Sequence, residues 1–393
     1  MHLIKLFLAF FVFCATAVAQ DNLPVLKANS NVLSIKDGDI FMGDYWTLDP
    51  SLSVDVYKAN KTSRKKSIVF YSDIDSISFD LSPRGQHDFL VILNEKDTFK
   101  TQIKSSIDFI DTAIIDLEQD TIPFVLTRSN NIIIQTVLNE NDTLDLMFHT
   151  AQNTISLTED AVKKIKQNAF DKSLEAESWG GSHSTRYSTG NRIRIKNFEW
   201  NDITLWEDKN SGPSSDGKFG PNLFGNKVIE LNFDENILVI HSYLPTLKTG
   251  YKKGELLFER NTMYIVTNYK IDGKDYTNKV MIHSGYGGTI LLDDKYVNDN
   301  NIAEKLSLVS ESQLQDSYGN VLKTKKVILP YLTIGDKVFK EIPIHFFEGV
   351  ISNQSVSVMG GSLIKRFNIF FDLQQAEIYL KPSKLSTLPF EDS

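Results

Sequence analysis

Lys279-Val280-Met281-Ile282-His283-Ser284-Gly285-Tyr286-Gly287-Gly288-Thr289-Ile290-Leu291-Leu292 is the stretch from which the fold of this chain can be read. An apolar run drives into a histidine, a hydroxyl residue and a glycine, and a second apolar run follows at once. The same arrangement is written earlier as Leu144-Asp145-Leu146-Met147-Phe148-His149-Thr150-Ala151, followed by Gln152-Asn153-Thr154-Ile155-Ser156-Leu157. Each copy has a later partner. Phe219-Gly220-Pro221-Asn222-Leu223-Phe224 puts Gly220 71 residues beyond His149, and Met359-Gly360-Gly361-Ser362-Leu363-Ile364 puts Gly360 77 residues beyond His283. An ordered pair of motifs recurring at nearly one interval is an internal duplication, and it predicts two lobes.

This layout resembles the pepsin-like and retropepsin-like aspartic peptidases in their single-chain, two-lobed form. In that family each lobe carries Asp-Thr/Ser-Gly on a loop after a buried strand, and a later apolar-apolar-Gly segment packs beneath the loop. The tail Val358-Met359-Gly360-Gly361-Ser362-Leu363-Ile364-Lys365-Arg366-Phe367-Asn368-Ile369-Phe370-Phe371-Asp372, continued by Ala376–Pro382, is similar to the family's closing segment. Lys227–Ile240 is its weaker copy in the first half. The resemblance covers residues 120–385. It implies an all-β, two-lobed aspartic-peptidase-like β-barrel unit, with lobe one over 120–250 and lobe two over 255–385.

The departure from the family pattern falls at the chemistry. His149 and His283 stand where the family has its catalytic aspartates. That pair works because two carboxylates share one proton around a water. A neutral imidazole has instead one donor and one acceptor nitrogen and an unperturbed pKa of about 6.5. Four readings stay open. The favoured one keeps the fold, loses the activity and leaves a cleft that binds extended polypeptide. Thr150, Ser284 and Gly285 support it, because the family's hydroxyls at these positions lock the two loops together. Ala151 stands in place of the usual glycine, at a cost if the backbone needs positive φ. The second reading is a hydrolase using the two histidines as acid and base. The third is a metal held by both histidines, with His183 as third ligand; no other histidine spacing supports it, and the expectation is no metal and no cofactor. The fourth is an active aspartic-type peptidase using a relocated carboxylate, with Asp145 and Asp275 flanking the motif strands. Tyr187, in Tyr187-Ser188-Thr189-Gly190, is similar to the tyrosine of the family's flap and is the candidate to close over a ligand.

The N-terminus predicts the compartment. Lys5, the apolar run Leu6–Phe13 and Ala17-Val18-Ala19 read as a signal peptide over 1–19, cleaved before Gln20, and so as a secreted or periplasmic protein. The single cysteine, Cys14, lies inside that signal, so the mature chain is expected to use no disulfide and no thiol chemistry. A formal charge of −8 argues against nucleic acid or an anionic membrane as partner, and no later apolar run approaches spanning length. The sequence does not fix an oligomeric state.

Ahead of the lobes, residues 20–110 are expected to form a small N-terminal β domain. Short runs rich in β-branched and aromatic residues, bounded by turns such as Asp37-Gly38, suggest a sandwich or meander. Trp46 is read as a core aromatic on a loop with Asp49-Pro50, and 106–122 as a linker. Thr158 is expected to cap a helix over 158–166, and Asp293-Asp294 to cap its lobe-two counterpart. Asp208–Lys218 reads as a loop, and Asp272-Gly273 as the turn of a hairpin leading to His283.

Overall fold

The structure is a computed structural model that describes residues 23–105, 119–166, 170–178, 181–209, 211–259, 261–316, 320–347 and 356–390. The signal segment, and residues 106–118 of the expected linker, lie outside the described residues. The chain divides into two compact units. One holds the residues up to Tyr57 with Val69–Ser78 and His87–Ile103; the other holds Lys58–Ile68, Phe79–Gln86 and the chain from Lys104 onward. No described helix is long and apolar enough to cross a membrane.

Eight N-terminal strands form two four-stranded sheets: β1 (Val25–Ala28), β2 (Val32–Asp37), β3 (Ile40–Thr47), β4 (Asp55–Ala59), β5 (Lys66–Tyr71), β6 (Ser76–Leu81), β7 (Gln86–Leu93) and β8 (Asp97–Ser105). The orders are β1-β7-β8-β4 and β3-β2-β5-β6. Burial alternates along β2 and β4, as expected for strands with one face on a core. Trp46 lies on β3 and not on a loop. It is half-buried, with its ring against Phe70 at 5.6 Å and Tyr57 at 6.1 Å.

The rest of the chain is all-β and two-lobed. The first half contributes β9 (Gln119–Pro123), β10 (Val125–Leu126), β11 (Ile132–Leu138), β12 (Asp142–Phe148), β13 (Ile155–Thr158), β14 (Lys172–Ser178), β15 (Gly181–Ile195), β16 (Phe198–Asp208), β17 (Gly217–Phe219), β18 (Val228–Asn232) and β19 (Ile237–His241). The second contributes β20 (Lys252–Glu255), β21 (Leu257–Glu259), β22 (Thr262–Ile271), β23 (Lys274–His283), β24 (Ile290–Leu292), β25 (Leu308–Gln315), β26 (Val321–Ile334), β27 (Lys337–Phe347), β28 (Ser357–Gly360), β29 (Phe367–Asp372) and β30 (Glu377–Pro382). Lobe one is an eight-stranded sheet in the order β10-β11-β12-β17-β13-β16-β15-β14, closed by a β11–β15 pairing. Lobe two has the order β21-β22-β23-β28-β24-β27-β26-β25, closed by β22–β26. The two orders are the same topology strand for strand, including the parallel pairs β12–β17 and β13–β16 against β23–β28 and β24–β27.

A third sheet runs β20-β30-β29-β18-β19-β9. Three of its strands come from each half, and the halves meet where β18 pairs antiparallel with β29, Ile229 opposite Phe371. The segment expected to be linker thus ends in a strand: β9 pairs with β19 along its whole length.

Local chemistry explains the elements nearest the two histidines. Along β23 the burial alternates and then becomes continuous over Val280–Ile282, as the strand leaves a two-residue turn at Asp272-Gly273 and enters the lobe interior. Thr158 caps α1 (Glu159–Lys164) by accepting from the Ala161 N–H, and Asp293 caps α2 (Asp294–Asp299) by accepting from the Tyr296 N–H at 2.8 Å. Both helices directly follow the strand after a histidine loop. Behind the His149 loop Phe148, Phe219 and Phe224 pack with centroids 5.6–6.4 Å apart, and Trp200 donates to the Leu223 carbonyl at 2.8 Å. Burying each such ring contributes roughly 1.5–3 kcal/mol. α3 (Ile302–Lys305) and α4 (Gly361–Ile364) complete the described α-helices.

Candidate functional site

His149 directly follows β12, and His283 ends β23. The two loops face each other, and the rings lie edge to face with centroids 4.5 Å apart. Four buried hydrogen bonds between the loops fix this. The Thr150 hydroxyl donates to the Ile282 carbonyl at 2.7 Å and accepts from the Ser284 N–H at 2.9 Å. The Ser284 hydroxyl donates to the Phe148 carbonyl at 2.7 Å and accepts from the Thr150 N–H at 2.9 Å. Each hydroxyl is satisfied as donor and acceptor by the other lobe's backbone, so the two lobes hold each other's loop.

The strands behind the loops need glycine. A Cβ on Gly220 would lie 1.6 Å from the Gln152 carbonyl oxygen, and one on Gly360 would lie 2.4 Å from that of Gly288. Each apolar-Gly segment therefore supports its own lobe's loop by close backbone approach. Ala151 is outside the positive-φ region, so the expected cost of alanine there does not arise.

Both imidazoles are oriented by the main chain. His149 Nδ1 accepts from the Ala151 N–H at 3.2 Å, and His283 Nδ1 accepts from the Tyr286 N–H at 3.0 Å. His149 is 9% exposed, and His283 is half-buried. Burial disfavours charge on His149 and holds its pKa well below the ordinary histidine value, with His283 and Lys218 pushing the same way. Burial likewise lowers His283, to about 4, against the opposing effect of a hydrogen bond to its own backbone, and Lys218 adds a smaller push downward. At neutral pH both rings are uncharged.

Lys218, the second residue of β17, escapes a reading of the sequence alone. It is buried and paired with the buried Asp208 at 2.8 Å, and Asp208 also accepts from the Ser156 hydroxyl at 2.5 Å. The stretch Asp208–Lys218, expected to be a loop, has both ends in strands, because these two charges neutralise each other inside the sheet. Lobe two fills the equivalent positions with hydrocarbon. Ser156 pairs with Lys218 as Leu291 pairs with Val358, and Asp208 corresponds to Phe347. Leu291, Val358 and Phe347 belong to an apolar cluster with Tyr264, Met281 and Tyr286. The signal available in the sequence was a lysine standing before Phe219-Gly220 where the second copy has valine before Met359-Gly360.

Tyr187 lies on β15 opposite Lys172, at the far end of the β14–β15 ladder from the Ser178–Gly181 pair, and packs on Trp206 with centroids 4.9 Å apart. His183 pairs with Ala176 on the same hairpin, and its side chain is outside the described residues. Asp145 and Asp275 are exposed. His345, on β27, sits beside the second loop with Nδ1 3.1 Å from the Tyr286 hydroxyl. Among the described residues no three histidine, cysteine or carboxylate side chains cluster so as to hold a metal ion.

No protein-family model matches the chain, and no curated protein matches it. Among solved structures it is similar to the crystal structure of the aspartic proteinase from Irpex lacteus. The match has 10% sequence identity and a TM-score of 0.47, and covers 70% of this chain and 100% of that one.

Proposed function

We propose that this chain is a secreted aspartic-peptidase homologue that binds polypeptide between its lobes and has lost the family's catalysis. The observation that carries the reading is the reciprocal Thr150–Ser284 lock presenting two neutral imidazoles, 4.5 Å apart, in place of two carboxylates. A shared-proton pair needs groups that are anionic when deprotonated. These rings gain a positive charge on protonation and carry none at neutral pH. The rival, a histidine acid–base pair, needs an imidazole lone pair facing the substrate, and on both rings Nδ1 already accepts from the backbone.

The test is incubation of the mature protein with a mixed peptide library from acid to neutral pH, followed by mass spectrometry. Intact peptides enriched on the immobilised protein are the expected result. Pepstatin-sensitive cleavage would refute the reading. Cleavage insensitive to pepstatin and abolished by His149→Ala or His283→Ala would establish the histidine-pair hydrolase instead. The export part of the proposal rests on the signal pattern alone and is checked by N-terminal sequencing of protein from the source cell, with a start at Gln20 expected.

A further inference from the structure

We infer that the lobe-one turn Thr127–Asn131 positions the second histidine loop, and that Asn131 is the positioning residue that seats Gly285 against the His149 ring. The inference goes beyond the peptide-binding reading, because it concerns what places the two rings, whatever they meet.

The turn joins β10 to β11 and closes on itself through its own short-range bonds. The Thr127 N–H donates to the Asn131 carbonyl at 2.9 Å, and the Asn130 N–H donates to the Thr127 carbonyl at 3.0 Å. The Asn131 N–H donates to the Thr127 hydroxyl at 3.0 Å. Asn130 takes a left-handed φ of 63°, which asparagine tolerates. An asparagine in a turn commonly spends its side chain on that turn. Both amides here reach into the other lobe. Asn131 Nδ2 donates to the Ser284 carbonyl at 3.0 Å and the Gly285 carbonyl at 3.2 Å, and Asn130 Nδ2 donates to the Gly287 carbonyl at 2.8 Å. Both asparagines are buried. Three carbonyls of the loop that follows His283 are thus held from lobe one, in addition to the Thr150–Ser284 lock.

The approach is close enough to mark the sequence. A Cβ on Gly287 would lie 2.3 Å from the Ser129 carbonyl oxygen, and one on Gly361 would lie 2.3 Å from that of Asn130. A Cβ on Gly285 would lie 2.2 Å from His149 Nε2 and 2.3 Å from its Cδ2. The His149 ring therefore rests on a bare backbone whose carbonyl Asn131 holds. The first copy of the motif carries side chains at the matching positions, Ala151 for Gly285 and Pro221 for Gly361. The hairpins differ accordingly. Leu126 pairs with Ile132, leaving residues 127–131 between them, whereas in lobe two Glu259 pairs with Thr262, leaving only 260 and 261. The longer turn is the one that crosses to the other lobe's loop.

The test is NMR on the full mature chain without ligand. The unmodified protein should show cross-peaks from the His149 ring to the Gly285 Hα protons and to the His283 ring. Asn131→Ala should remove the first and weaken the second. It should also speed exchange of the Tyr286 amide, which donates to His283 Nδ1 at 3.0 Å, by about ten-fold, the equivalent of one lost hydrogen bond. The Thr150 and Ser284 amides should change far less, since their lock is untouched. A role in stability alone would speed all three amides alike and leave the cross-peaks of the folded protein in place, as the core change Ile193→Val on β15 should do. Should Asn131→Ala fail to fold, Asn130→Gly keeps the left-handed backbone and removes only the Gly287 contact, and it should speed the Tyr286 amide with the same selectivity. Unchanged ring cross-peaks in folded Asn131→Ala, or equal acceleration of all three amides in either variant, would overturn the inference. Peptide capture plays no part in these readouts, so its failure would leave them standing.

Discussion

Replacing Ser284 by alanine tests whether the hydroxyl lock holds the two loops together. The Oγ it removes is fully buried, donates to the Phe148 carbonyl at 2.7 Å and accepts from the Thr150 N–H at 2.9 Å. Both partners are buried backbone groups on the opposite loop, and water cannot replace the lost contacts without opening it. Leaving one buried polar group unpaired costs about 1–3 kcal/mol, so Ser284→Ala, which strands two, is expected to cost about 2–6 kcal/mol. That is a large part of a stability of about 5–15 kcal/mol. Thr150→Val should cost a similar amount through its own two bonds. The double mutant should show non-additivity of about 1 kcal/mol or more, because both hydroxyls bridge the same pair of loops. The assay is urea denaturation monitored by tryptophan fluorescence, with hydrogen exchange at the Thr150 and Ser284 amides as the local measure. The exposed Ser310→Ala serves as control and should stay within about 0.5 kcal/mol. A Ser284→Ala cost below about 1 kcal/mol, with unchanged exchange at Thr150, would refute the argument that these hydroxyls join the lobes.

Three further outcomes follow from the same geometry. His283 and His345 have pKa values near 4 in the folded chain, against about 6.5 unfolded, so the unfolded chain binds protons first as pH falls. Stability should be whole above about pH 6.5, decline between there and about pH 4, and level off below for these two groups. The decline is on the order of 3 kcal/mol per ring, and His283→Asn should flatten its share of the slope in denaturation curves taken across that window. Lys218→Met should strand the buried Asp208 carboxylate and cost about 3–5 kcal/mol by thermal denaturation, whereas Lys218→Met with Asp208→Asn should recover a measurable part; a double mutant no better than the single would show that the ion pair is not what stabilises this site. His149→Asp with His283→Asp should give weak peptide cleavage at acid pH, because Ala151 needs no relief from positive φ. A folded double mutant that stays inert at every pH would point to the Lys218–Asp208 pair as the second divergence.

The duplicated motifs were legible because each does a backbone job that few residues can do. Gly220 and Gly360 carry no side chain because a carbonyl occupies the space, and Thr150 and Ser284 must both donate and accept. Such demands leave a readable mark at fixed intervals. Helix caps at Thr158 and Asp293 were legible for the same reason. The edge strand β9 was not, since Gln119–Pro123 alternates only weakly and gets its strand character from pairing with β19 more than a hundred residues later. Lys218 and Asp208 were hidden by their charge. A lysine and an aspartate at the ends of a Gly/Ser-rich stretch read as solvated, and only tertiary pairing makes them interior residues. Trp46 was misplaced to a loop because the following Asp49-Pro50 drew the turn assignment back over the last residues of β3.

The central sheet has a consequence for how this chain comes into being. Its middle seam joins Val228–Leu231 to Ile369–Asp372, so one border of β18 is closed only by residues made well over a hundred positions later. A chain interrupted before Phe367 can form the β18–β19 hairpin, but it leaves an apolar hydrogen-bonding edge open to any other strand it meets. The halves look like independent copies, each with its own eight-stranded sheet, yet neither completes the central one. Contacts spanning so much sequence form slowly, which gives the open edge time to find the wrong partner. Premature termination or proteolysis between the halves therefore threatens self-association more than simple loss of function, and a stand-alone first lobe is better engineered with that edge covered or charged.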